Sequence, residues 1–218
     1  MVVPTLILSM IAQGMVKSTF NKYSQVRCSR KISGRDAAQA ILQSNSIKDV
    51  AVESVAGSLT DHYDPRSKKL RLSEPVYSQN TIAALGVAAH EAGHAIQHAT
   101  GYGPLVLRST LVPVANIGSR FGPIMAIGGI IFTIEPLIQL GILLFAAAVL
   151  FYLITLPVEF NASARALALL ESGDMLSREE LNGAKKVLSA AALTYVASAL
   201  TAIMSLLRLI LIARGRRR

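Results

Sequence analysis

Cysteine is nearly missing from this chain: Cys28 is the single one in 218 residues. No intrachain disulfide can form, and a cysteine-rich zinc site is excluded. Cys28 is expected to be a free, buried thiol. Acidic residues are also scarce, 13 against 22 lysines and arginines, for a formal net charge of +9. Aromatics are 6% of residues, and no nucleic-acid motif or interleaved aromatic patch accompanies the basic groups, so nucleic acid is not the implied partner. Lysine and arginine beside a membrane, facing anionic lipid, explain the charge better. No internal repeat or low-complexity segment is evident. No basic stretch precedes the apolar run Val2–Val16 and no small-residue cleavage site is obvious, which predicts an anchor rather than a removed signal peptide.

What is abundant is apolar surface. The chain is 52% hydrophobic with a mean hydropathy of +0.46, too apolar for an ordinary soluble domain of this size. Three long runs carry it: Leu111–Ile134, Pro136–Leu156 and Val187–Leu207. Each is long enough to cross a bilayer. Paired ionisable residues are absent from them, since Arg120 and Arg208 sit near run ends, and this weakens a channel or transporter reading.

Between the anchor and the first long run the chain is polar and mixed. Ser33 is placed to cap a helix through Asp36–Leu42. Val50–Val55 alternates as a strand does, and Ser58–Tyr63 and Lys69–Ser73 flank a turn at Asp64-Pro65-Arg66-Ser67-Lys68. Ser177-Arg178-Glu179-Glu180 forms a capping box that opens the last helix. The expected fold is a mainly α integral-membrane protein of three to four spans with a small α+β domain. Its expected segments are a membrane anchor (1–16), the α+β domain (17–110), a transmembrane hairpin (111–157), a polar helix and connector (158–186), and a membrane helix with a basic tail (187–218).

The chemistry concentrates in Ala89-His90-Glu91-Ala92-Gly93-His94, which reads H-E-x-x-H. Positions i and i+4 share a helix face, so His90 and His94 point the same way and can take two corners of a zinc tetrahedron. Glu91 lies beside them and can accept a proton from a metal-activated water. Gly86 and Gly93 cost helix propensity but allow close backbone approach.

A zinc peptidase site needs three protein ligands and an open position. With cysteine excluded, the candidates are His62, His98 and the acidic residues. His98 is four residues beyond His94, but three ligands on adjacent turns of one straight helix do not readily surround one ion. A carboxylate from a second helix is preferred. Glu159 sits just past an apolar run among small residues that would let its helix approach Gly93. Spacing alone leaves a solvated surface carboxylate open for Glu159.

Four stretches together carry a resemblance: Val87–His98, Thr60–Arg66, Pro113–Ser119 and Leu156–Ser163, with further similarity through Gly183–Leu188 and Ala191–Ala197. The chain resembles the bacterial YugP-like family of zinc-dependent integral-membrane metallopeptidases over nearly its whole length. The resemblance implies a zincin-like metallopeptidase domain with a gluzincin-type site, in which a glutamate on a later helix is the third zinc ligand. That role falls on Glu159, beside His90 and His94. In such sites an acidic residue often follows one turn later and hydrogen-bonds a zinc histidine; here the position is Ser163, whose hydroxyl would have to serve.

If His94 and Glu159 bind one Zn²⁺, the chain between them crosses the membrane an even number of times, and the two apolar runs supply the hairpin. Its far end is the junction Thr133–Leu137. Twelve of the 22 lysines and arginines lie in residues 17–110, four in 158–186 and none in the junction. The positive-inside rule then puts the catalytic region on the cytoplasmic face of the bacterial inner membrane. The tail Arg214–Arg218 opposes this if the last helix crosses once.

The expected activity is peptide-bond hydrolysis, with the lipid bilayer and a protein or peptide substrate, membrane proteins among them, as partners. Tyr102, His62, Asn161 and Arg165 are candidates to stabilise the oxyanion. The Ser58–Ser73 hairpin offers an edge strand for an extended substrate. The rival reading is a non-catalytic membrane scaffold with a structural metal or none. A structural site would close with a fourth ligand, His98 or His62, and would have no need of a base at Glu91.

Overall fold

The computed structural model describes residues 2–215. Arg216–Arg218 of the basic tail lie outside the described residues. Among the described residues seven helices and three strands follow in the order α1 (Val2–Tyr23), α2 (Gly34–Ser44), β1 (Ala51–Val55), β2 (His62–Asp64), β3 (Lys69–Ser73), α3 (Glu74–Ser78), α4 (Ile82–Ala99), α5 (Gly103–Phe132), α6 (Glu135–Ser172) and α7 (Arg178–Gly215). Among the described residues α5, α6 and α7 are long and apolar enough to cross a membrane. The mainly helical architecture with a small sheet is the one expected. The contacts divide the chain into two units.

Of the described residues the apolar unit holds 2–12, 103–157 and 193–215. Its organising pair is α5 and α6. Ala115, Gly118, Gly122, Ala126 and Gly129 recur at helical spacing on α5 and are buried. This stripe has almost no side chain, so α6 packs against the α5 backbone. A methyl group on Gly122 would come within 2.9 Å of the Gly141 carbonyl oxygen, and one on Gly129 within 2.7 Å of the Ile138 nitrogen. Small residues at helix contacts are how membrane helices gain van der Waals packing when no hydrophobic force drives them together. The opposite stripe of α5, Val114, Ile117, Phe121, Ile124 and Ile131, is large, apolar and exposed. A helix with small residues inward and large ones outward suits lipid rather than water. The turn between α5 and α6 is tight, with Thr133 at φ +60° and the Ile134 N–H bonded to the Gly129 carbonyl at 2.9 Å.

The polar helix expected within 158–186 is the C-terminal part of α6, which runs unbroken through Pro157 to Ser172. Proline removes one backbone donor and crowds one carbonyl. Pro157 is exposed, and the helix continues on both sides of it.

The polar unit holds residues 13–102 and 158–192. Its sheet has the order β1-β3-β2, with β3 central, parallel to β1 and antiparallel to β2. The β2–β3 hairpin turn is the one expected. Asp64 closes it, its Oδ1 accepting the Arg66 N–H at 3.0 Å and its Oδ2 the Ser67 hydroxyl at 2.6 Å. The Ser67 hydroxyl and the Arg66 N–H hold the Asp64 carboxyl down at about 2. The first strand of the hairpin is shorter than Ser58–Tyr63. Gly57 and Leu59 take positive φ, +106° and +59°, which strand geometry cannot accommodate. Ser33 caps α2 in a capping box with Asp36, and Ser177 and Glu180 form the second box, with a Ser177 N–H to Glu180 bond of 2.7 Å.

Helix α4 is the centre of this unit. Thirteen of its 18 residues are buried, so nearly every face is covered by a neighbour. Leu85, Ala88, Ala89, Ala92 and Ile96 join Leu70 and Leu72 of β3, Ile41 of α2 and Leu170 of α6 in one core. Cys28 belongs to this core, free and 5% exposed. Burial, with the Glu180 charge adding to it, pushes its thiol up to about 12.

Candidate metal centre

Every residue of the candidate site belongs to the polar unit. Helix α4 begins at Thr81, whose hydroxyl accepts the Ala84 N–H at 3.3 Å. Two turns later it presents His90 and His94 on one face, with ring centroids 4.7 Å apart and planes at 85°. Helix α6 reaches them because Gly93 has no side chain. A methyl group there would come within 2.9 Å of the Ala162 carbonyl oxygen.

That approach delivers Glu159. Its Oε2 lies 3.3 Å from His90 Nε2 and 3.5 Å from His94 Nε2. The Glu159 side chain is 3% exposed and the two histidines 12% and 13%. Two ligands each about 2.0–2.1 Å from a tetrahedral zinc stand roughly 3.3–3.4 Å apart. The two measured separations fit that edge length. Two imidazole nitrogens and a carboxylate oxygen, all within 4.8 Å of one another, are a donor set suited to zinc.

The outer nitrogens of both rings are engaged. The Ser163 hydroxyl sits 3.1 Å from His90 Nδ1, so the position one turn after Glu159 contacts a histidine through a hydroxyl. His94 Nδ1 lies 3.0 Å from Oε1 of Gln97, a residue to which the sequence assigned no role. Gln97 is three residues beyond His94 and shares its helix face, the one signal that could have singled it out. Glu91, the expected base, is buried on α4 next to His90. Asp61, also unforeseen, ties the loop before β2 to Ser73. Its Oδ1 accepts the Ser73 N–H at 2.7 Å and the Ser73 hydroxyl at 3.0 Å. Burial pushes the Asp61 carboxyl up and the Glu91 charge adds to this, against the two Ser73 bonds.

Other candidates are placed elsewhere. His98 has its Nδ1 2.8 Å from the Tyr63 hydroxyl and is not part of the ligand group. His62 is exposed on β2, with Nδ1 against the Thr60 carbonyl at 2.8 Å. Asn161 and Arg165 bond to each other, Arg165 Nε–H to Asn161 Oδ1 at 2.8 Å. Tyr102 lies just past α4, its N–H bonded to the Gln97 carbonyl at 2.9 Å.

An integral-membrane helical fold joined to a small α+β unit, with H-E-x-x-H on its central helix and a glutamate brought in by a later one, defines a class of membrane metallopeptidase-like proteins. The chain belongs to the family described as "Putative neutral zinc metallopeptidase", whose model matches residues 1–214. It is similar to the "Putative membrane protease YugP" of Bacillus subtilis (strain 168), 53% identical over 205 residues, which are 94% of this chain and 91% of that protein. No solved structure matches the chain.

Proposed function

We propose that this protein is a membrane-embedded zinc metalloendopeptidase whose ligands are His90, His94 and Glu159 and whose general base is Glu91. The observation that carries the reading is the convergence of His90, His94 and Glu159, with Glu159 Oε2 3.3 Å and 3.5 Å from the two Nε2 atoms and all three ligand atoms within 4.8 Å of one another. A zinc ion held there would lower the pKa of a water and polarise the scissile carbonyl. Glu91 accepts the proton of the attacking water on its carboxylate and delivers it to the leaving amine. Burial of the ligands keeps bulk water off the site and strengthens electrostatic interactions within it. Three protein ligands leave a fourth position for water or substrate, as a catalytic site requires. Strand β2, an edge strand of the sheet, offers main-chain groups to an extended peptide.

Helix α5 and the apolar part of α6 that precedes Glu159 lie in sequence between His94 and Glu159, which supports two crossings and one side for all three ligands. The lysine and arginine excess in residues 17–110 supports the cytoplasmic face of the bacterial inner membrane. The substrate class is a protein or peptide, membrane proteins included, because the site is carried on a chain anchored in lipid.

Zinc content of purified variants tests the ligand set. Glu159→Ala should lose most bound zinc, whereas His98→Ala should keep it, because His98 is committed to Tyr63. Zinc lost from His98→Ala but kept by Glu159→Ala would refute the assignment.

A further inference from the structure

We infer that Arg165, Asn161 and Gln97 form a positioning chain that fixes the ring orientation and tautomer of His94; the inference rests on the metal-centre reading above. Gln97 is fully buried. Its Nε2 donates to the Val158 carbonyl at 2.8 Å and to Asn161 Oδ1 at 3.0 Å. Both amide hydrogens are then committed, and Oε1 is left facing His94 Nδ1 at 3.0 Å. An amide oxygen only accepts, so His94 carries its hydrogen on Nδ1 and keeps the Nε2 lone pair directed toward Glu159.

The polarity of this chain is set by groups that have only one role. The Val158 carbonyl can only accept, so the nitrogen of Gln97 must face it. Arg165 can only donate, and its Nε–H reaches Asn161 Oδ1 at 2.8 Å, so the oxygen of Asn161 faces the pair. Flipping the Gln97 amide would set its oxygen against two acceptors inside a buried site, which is costly. Val158, Asn161 and Arg165 recur at spacings of three and four on α6, so one face of that helix carries all three groups. It ties the helix that bears Glu159 to the ring of a histidine on α4. Arg165 is a positioning residue that acts through Asn161 and Gln97.

The test uses full-length protein purified in detergent. It reads zinc affinity by competition with a chromophoric chelator and the visible spectrum of the Co²⁺-loaded protein. Gln97→Met keeps side-chain volume and removes the polar relay. It should weaken zinc binding roughly 10–100-fold, as loss of a partner behind a metal-bound histidine does, and alter the Co²⁺ bands. Arg165→Met should weaken binding less, by about tenfold, and Arg165→Lys, which still donates to Asn161, should restore most of it. A purely structural role for Arg165 would show no such rescue in affinity. Wild-type affinity and spectrum in Gln97→Met would overturn the inference. If that variant fails to fold, wild-type affinity in Arg165→Met overturns it instead. Glu159→Ala separates the two levels. Tight zinc binding in that variant defeats the metal-centre reading itself, whereas its loss beside normal binding in the Gln97 and Arg165 variants defeats only the positioning chain.

Discussion

The hydroxyl of Ser163 lies 3.1 Å from His90 Nδ1, carried on α6 one turn beyond Glu159. A hydroxyl can accept the Nδ1–H and so hold the ring with Nε2 toward the carboxylate. Ser163→Ala should weaken zinc binding by about tenfold, the lower end expected when a histidine loses its outer partner. Ser163→Asp should bind more tightly than the alanine variant, because a carboxylate is the stronger acceptor. Competitive chelation measures both. Equal affinity in Ser163→Ala and wild type would make the hydroxyl a bystander.

Gly93 sets the distance between the two ligand-bearing helices. Gly93→Val would push a β-branched side chain into backbone, since even a methyl group would meet the Ala162 carbonyl oxygen at 2.9 Å. The expected cost is about 1–3 kcal/mol, as for other overpacked sites, with a fall in zinc affinity as Glu159 moves away. Gly14→Ala is the control, because nothing lies within 4 Å of the position. Thermal melts of both variants check the contrast; an unchanged melting temperature in Gly93→Val would contradict the close approach.

Helix α5 and the apolar part of α6 before Glu159 predict that Glu135 lies across the membrane from Ser67. Single cysteines at these positions should label from opposite sides with an impermeant thiol reagent. Cys28 should stay unlabelled at pH 8 in folded protein, because burial holds its thiol up at about 12. A Cys28→Ser background removes it altogether. Labelling of both positions from one side would sink the paired-crossing topology.

The parts of the site that obey a local rule were legible in the sequence. His90 and His94 follow from the helical period, and the caps at Ser33 and Ser177 follow from a serine with an acidic residue three positions on. Glu159 was within reach because a carboxylate was needed from elsewhere in the chain and small residues surround it. Gln97 was not legible. Its partners are a backbone carbonyl 61 residues away and a side chain 64 residues away, and no spacing records such a contact.

The sheet divides in the same way. The β2–β3 hairpin announces itself through its turn residues, but the parallel pairing of β1 with β3 depends on tertiary packing. The short β2 reflects positive φ at Gly57 and Leu59 together with the pull of Ser73 on Asp61, neither visible from alternation alone.

Peptide hydrolysis by this site depends on Glu91 as the base that takes the water proton. Glu91→Gln keeps the shape of the side chain but cannot accept the proton. Zinc content and casein hydrolysis of purified wild type and Glu91→Gln, measured side by side, test it most directly. The expected result is unchanged zinc stoichiometry with hydrolysis reduced by roughly 100-fold or more. Near-wild-type turnover in Glu91→Gln would contradict it.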